Sequence, residues 1–170
     1  MFQIVVDSAA NIPAELVKKY DIRVISFVNY VNGQPLTCFD PDLTTEQERA
    51  KGKEYYDALR AGAEIKTGLI SSGDFEECFR SIMENNEDVL YFSLSKNISG
   101  TFNSARLAAK ELMENPPMGR RIRMIDSLNA SLAQGILAIY ASEMRSQGMD
   151  FDTIADTLEA YPARMNGVFT

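Results

Sequence analysis

Apolar residues along this chain fall into two rhythms: short unbroken runs, which suit strands buried in a sheet, and longer stretches with the spacing of one helix face. The run FQIVV at 2–6 ends in Asp7-Ser8 and predicts a strand and loop. Pro13 then opens a helical segment through Tyr20, proline being tolerated in a helix's first turn. The stretch 22–31, β-branched and aromatic, predicts a second strand; Asn32-Gly33 supplies a turn and a return towards Thr37. Thr44 or Thr45 caps a helix carrying Tyr55, Tyr56 and Leu59 that stops near Gly62, with Gly52 a point where it divides in two. Residues 66–75 read as a loop leading into a helix capped by Ser72 or Asp74, with Phe75, Phe79, Ile82 and Met83 along one face.

The run VLYFSL at 89–94 predicts a buried central strand of a parallel sheet. KNISGTF at 96–102 then opens a helix with Phe102, Ala105, Ala109 and Leu112, ended by Pro116-Pro117. IRMIDS at 122–127 predicts another strand, followed by a broadly apolar helix over 129–148 and an amphipathic one over 151–161. Gly167 to Thr170 reads as the start of a strand or a connection, so the polypeptide is expected to have continued. Alternating strands and helices predict an α/β fold, a mostly parallel sheet with helices on both faces and right-handed crossovers. Ligands of such folds sit outside the carboxyl ends of the strands.

Composition narrows the chemistry. At 170 residues and 45% hydrophobic content, the chain has the material for one domain spanning 1–170. A net charge of -7 disfavours nucleic acid, whose phosphates need clustered Lys and Arg. No apolar run approaches the roughly 18 residues of a membrane span, and the N-terminus lacks the features of an export signal, so a cytoplasmic protein is expected. Cys38 and Cys78 have neither CxxC spacing nor partner ligands and read as structural thiols. Without histidine, Ser-His-Asp and Cys-His nucleophile pairs and most zinc sites are ruled out.

The topology brings Asp7-Ser8, 95–101 and Asp126-Ser127 to one rim, joined by Lys66-Thr67-Gly68 and Ser71-Ser72-Gly73. Hydroxyls and glycine-freed amides at helix N-termini suit a carboxylate or phosphate. The same residue types also serve as ordinary caps and turns. The segments DSAANIP at 7–13, IKTGLISSGDF at 65–75, SLSKNISGTFNSARLAA at 93–109 and MIDSLNASLAQG at 124–135 together resemble the DegV family of fatty-acid-binding proteins, in order and separation, across essentially the whole chain.

That resemblance implies a cofactor-free carrier with no catalytic residue or metal. It would sequester a long-chain fatty acid between two domains, of which this chain looks like the front one, and present the carboxyl group to a separate fatty acid kinase. By position, Thr67 and Ser99 would hold the carboxylate through their hydroxyls, with the Gly100 N–H as a third donor and Thr101 beside them. Asp7, Ser8, Asp126 and Ser127 are neighbouring loop candidates. The family's loop threonine is usually followed by Ser-Gln-Pro, whereas Thr67 is followed by Gly68-Leu69-Ile70, a change in the loop's shape. Among apolar positions near these loops, Ile98 and Phe102 are the acyl-chain candidates; Leu69, Ile70, Phe92, Leu128 and Leu132 are expected in the core. The polar segment 40–62 reads as a surface insertion rather than a lid.

Two other function classes remain open on residues alone. Asp7 and Asp126, at strand ends taken as adjacent, suggest Mg²⁺-dependent phosphoryl transfer with Lys66 steadying a phosphate. Against it, Asp7 has no second carboxylate two residues on, and no GxxxxGK[ST] loop is present. The acidic segment 40–57 alternatively suits a ligand-free interaction domain.

Overall fold

The computed structural model describes residues 1–165; the strand expected at 167–170 lies outside the described residues. Four strands, β1 (Phe2–Asp7), β2 (Ile22–Ile25), β6 (Asp88–Ser93) and β7 (Ile122–Asp126), form an all-parallel sheet in the order β2-β1-β6-β7. Ile4 pairs with Ile22 on one side and Leu90 on the other, and Val89 pairs with Ile122. The two central strands are the two strongly apolar runs, β1 interrupted only by the half-buried Gln3 near its start, as burial on both faces demands.

Successive side chains of a strand point to opposite faces, and each face has its own core. Ile4, Val6, Leu90, Phe92 and Ile125 pack under α1 (Ala14–Lys19), α5 (Leu132–Ser146) and α6 (Phe151–Glu159), which supply Val17, Leu137, Ala141, Ile154 and Leu158. Val5, Val89 and Tyr91 pack under α3 (Ser72–Glu84) and α4 (Thr101–Glu114), which supply Phe75, Phe79, Ile82, Ala105 and Leu112. Fully burying each large side chain contributes about 1.5–3 kcal/mol, so either layer outweighs the helices' weak intrinsic stability.

Three local expectations are corrected. The stretch 22–31 is not one strand. β2 ends at Ile25, and after Ser26-Phe27 the chain enters a separate antiparallel sheet of β3 (Val28–Val31), β4 (Gln34–Thr37) and β5 (Ile65–Thr67), in the order β4-β3-β5. Side chains hold this corner: Ser8 Oγ accepts the Phe27 N–H at 2.9 Å, and Ser26 Oγ accepts those of Cys38 and Phe39, each at 3.1 Å. Nor does Gly52 divide the next helix; α2 (Thr45–Arg60) is continuous behind a Thr44–Gln47 capping box, and none of its residues is buried. Ser71, rather than Ser72 or Asp74, is the N-cap of α3; Asp74 completes its capping box.

Candidate functional site

Beyond the carboxyl ends of β1 and β6, against the small antiparallel sheet, lies an open cleft of about 420 Å³. Ser8, Thr67 and Ser99 bring hydroxyls to its lining, and Phe27, Leu69, Leu94 and Ile98 form its apolar part. Thr67 is the exposed last residue of β5, paired with Asn29 of β3. At Gly68, the first position of the departure from Ser-Gln-Pro, the N–H donates to Val28 O at 2.9 Å, and a Cβ there would stand only 3.0 Å from the same carbonyl oxygen. Leu69 then reaches across to the second loop, 3.5 Å from where a Cβ on Gly100 would be.

The loop carrying Ser99 is braced from within. Ser95 O accepts the N–H groups of Ile98 at 3.0 Å and Ser99 at 3.1 Å, and Ser95 Oγ accepts that of Asn97 at 3.2 Å. Gly100, exposed, is the N-cap of α4; it follows Ser99 at the edge of the cleft and is not itself part of the lining. Thr101 begins that helix with its side chain turned inward, fully buried. Its backbone N–H donates to Ser99 Oγ at 3.2 Å, and the two hydroxyl oxygens are 2.9 Å apart. Thr101 therefore does not line the cleft but supports Ser99, which does. Phe102, half-buried on α4, is also outside the lining, whereas Ile98 is exposed within it.

The remaining loop candidates are largely engaged by the protein itself, although Asp126 Oδ2 is buried without a hydrogen-bond partner. Asp7 is wholly buried; its Oδ2 accepts from Tyr91 Oη at 2.8 Å and the Leu94 N–H at 2.9 Å, and its Oδ1 from the Ala9 N–H at 3.1 Å. Burial pushes its carboxyl above the usual value, opposed by those bonds and by nearby Gln134. Asp126 Oδ1 accepts the N–H groups of Leu128 at 3.0 Å and Lys96 at 3.3 Å. The two aspartates are not at adjacent strand ends, because β6 lies between β1 and β7. Two strand spacings put their backbones roughly 9–10 Å apart, and the Asp7 carboxylate is buried and turned to Tyr91, Leu94 and Ala9 rather than towards Asp126. Lys66, the phosphate candidate, meets Glu64 at 2.8 Å. Ser127 is buried and closes its own turn, donating to Asn129 O at 2.9 Å. No cluster of three or more His, Cys, Asp or Glu suited to a metal occurs among the described residues.

Of the apolar positions expected in the core, Ile70 and Phe92 are there, while Leu69, Leu128 and Leu132 are exposed. Sequence reasoning missed Phe27, Asn29, Cys38 and Leu94 as lining residues. The first three depend on the sheet switch after β2, for which the sequence carries no local signal. A second cleft of about 340 Å³ adjoins the first, sharing Ser8, Asn11 and Cys38 with it. Thr45, Glu48 and Arg49 border it, so the first turn of α2 sits beside the cleft system while the helix itself stays on the surface.

The model of the DegV family, described as uncharacterised proteins, matches residues 1–170. The chain belongs to the DegV family. A DegV domain-containing protein of Clostridium perfringens is 32% identical over 170 residues, covering 99% of this chain and 56% of the relative. Among solved structures, a DegV lipid-binding protein from Thermotoga maritima superposes with a TM-score of 0.78 at 29% identity, over 96% of this chain and 55% of that one. A stearic-acid-binding protein from Eubacterium ventriosum gives 0.77 at 26% identity, over 94% and 53%. This DegV chain thus spans about half the length of the relatives it matches. Among the described residues, no helix is long and apolar enough to cross a membrane.

Proposed function

We propose that this DegV chain holds a long-chain fatty acid by its carboxylate, with the Thr67 and Ser99 hydroxyls and the Gly100 N–H as donors. The observation that carries this reading is that Thr67, at the end of β5, and Ser99, in the loop after β6, line one open cleft together with apolar side chains. The 2.9 Å contact between the Ser99 and Thr101 hydroxyls allows either oxygen to donate, and one of the two arrangements makes Ser99 a donor to a ligand. When Thr101 donates from both its backbone and its hydroxyl, both lone pairs of Ser99 Oγ are taken and its own hydrogen is left for a ligand. Ile98 and Leu69 lie where the first methylenes of the tail would pass. In the same reading residues 1–170 work as one ligand-holding domain in the cytoplasm. The exposed carboxyl end is presented to a separate kinase rather than transformed by this chain.

A hydrogen bond to a charged group contributes about 1.5–3 kcal/mol, so Thr67→Ala and Ser99→Ala should each weaken binding roughly 10- to 100-fold. The test is mass spectrometry of lipid extracted from the purified protein, with titration of a fatty acid into wild type and both variants. A co-purifying fatty acid lost from both variants supports the reading. Undiminished binding by both refutes the cradle.

A further inference from the structure

Thr67 and Ser99 must be held at a fixed separation to share one carboxylate, yet one ends β5 of the antiparallel sheet and the other lies in the loop that follows β6 of the parallel sheet. Their connections meet at one buried group. Leu94 opens the internally braced loop that ends in Ser99, and its N–H donates to Asp7 Oδ2 at 2.9 Å. On the other side, Asp7 Oδ1 accepts the Ala9 N–H at 3.1 Å and so shapes the turn containing Ser8. Ser8 Oγ holds the Phe27 N–H at 2.9 Å, Phe27 leads into β3, and Asn29 of β3 pairs with Thr67.

We propose that Asp7 is the positioning residue of the carboxylate cradle, one buried carboxylate setting the Ser99 loop and the Thr67 strand relative to each other. Tyr91 is its brace. The Tyr91 hydroxyl donates to Asp7 Oδ2 at 2.8 Å while the ring packs on Phe75 and Phe79, with centroids at 5.2 and 5.8 Å, fixing the carboxylate to the α3 side of the core. All three bonds to Asp7 come from neutral donors, so the geometry depends on hydrogen-bond direction rather than a salt bridge. Asp7 is wholly buried and does not line the cleft that holds Thr67 and Ser99; it acts through Leu94 and Ala9. This rests on the reading that the cleft holds a carboxylate.

The test compares a fatty acid with the fatty alcohol of the same length, since both bury the tail and only the acid needs the cradle. Affinities and melting temperatures are measured for wild type, Asp7→Asn and Tyr91→Phe. Asn presents an NH₂ group to donors that need an acceptor, whereas Phe keeps the ring stack and removes a single O–H. Acid affinity should fall tenfold or more in Asp7→Asn and severalfold in Tyr91→Phe, with alcohol affinity within twofold of wild type. A merely structural role would lower the melting temperature and weaken both ligands together, or neither, and that result overturns the proposal. If Asp7→Asn does not fold, Tyr91→Phe decides by the same ratio. A wild type without preference for acid over alcohol overturns the cradle itself, a failure visible before any variant is made.

Discussion

Gly52 and Gly135 both lie inside helices, and replacing each by alanine should have opposite effects. Gly52 sits in the solvent-exposed α2 with nothing within 4 Å of a built Cβ. Alanine there gains about 0.5–1 kcal/mol, because glycine loses more backbone freedom on entering a helix. Gly135 sits in the first turn of the buried α5, where a Cβ would stand 2.8 Å from Ile12 Cγ1 and 2.9 Å from Ala10 O. Carbon atoms in contact rest at about 3.5–4.0 Å, so the overlap with Ile12 is roughly 1 Å, and Ala10 O is backbone that no rotamer change relieves. Overpacking of this kind costs about 1–3 kcal/mol, and the rigid contact with Ala10 O puts it in the upper part, about 2–3; against a helical gain of about 1 the net loss is about 1–2 kcal/mol. In a chain of this size 1 kcal/mol moves the melting temperature by about 2–4 °C. Gly135→Ala should therefore melt about 2–8 °C lower, and Gly52→Ala about 1–4 °C higher, by calorimetry or circular dichroism. A Gly135→Ala protein that melts at or above the wild type would refute the close approach of α5 to the turn after β1.

Three further outcomes are expected. Cys38 is exposed and lines the cleft, while Cys78 is buried with its thiol pushed up to about 11 by desolvation, so a thiol reagent at neutral pH should label Cys38 alone. Bound fatty acid should slow that labelling, and an unchanged rate at saturating ligand would place the ligand elsewhere. Ser71→Ala removes the N-cap of α3, including its bond to the Asp74 N–H at 3.1 Å, and should cost about 0.5–2 kcal/mol in a denaturant titration. For pH, burial raises the Asp7 carboxyl above its ordinary 3.8, so the unfolded chain releases this proton first as pH rises. The stability Asp7 contributes is thus present below about 3.8 and lost as pH climbs through its raised folded value. Asp40 and Asp150, lowered chiefly by hydrogen bonds from the Asp42 N–H and from Thr153 respectively, act with the opposite sign: their contribution is present above 3.8 and is lost as pH falls. Melting temperatures from about pH 4 to about pH 7 should show a downward component in the wild type that Asp7→Asn lacks; equal slopes would contradict it.

The parallel sheet was legible because its central strands bury both faces and therefore announce themselves as strongly apolar runs, and its helices because their apolar faces recur with the right period. What failed to show was the switch between sheets. Residues 22–31 have uniform β propensity, and the break after Ile25 is imposed by Ser8 Oγ and Ser26 Oγ from distant or non-repetitive positions, which periodicity cannot register. β5, only Ile65 to Thr67, exists because β3 is there to pair with it. At the site, Thr67 and Ser99 were readable as hydroxyls in loops at strand ends. The inward turn of Thr101 was not, since it depends on the helix beginning at that residue rather than after it. Asp7 and Asp126 looked like a pair only while the strand order was unknown.

The electrostatics of the cleft bear on how a fatty acid would be held. The two lysines nearest in sequence to the proposed donors already have partners: Lys66 meets Glu64 at 2.8 Å, and Lys96 meets Asp126 at 3.5 Å. The head group is then left with hydroxyls and an amide, which fix its orientation but supply less attraction than a free guanidinium would. Most of the affinity has to come from the tail, at about 0.8 kcal/mol for each methylene taken out of water, less the cost of ordering it. Affinity should accordingly climb by up to about fourfold per added methylene until the apolar wall is exhausted, and should change little with ionic strength. Titrations of a homologous series of acids at low and high salt separate the two contributions. A steep loss with salt and a flat dependence on length would mean that a lysine leaves its partner to take the carboxylate, and that the neutral cradle of Thr67, Ser99 and Gly100 is not what holds it.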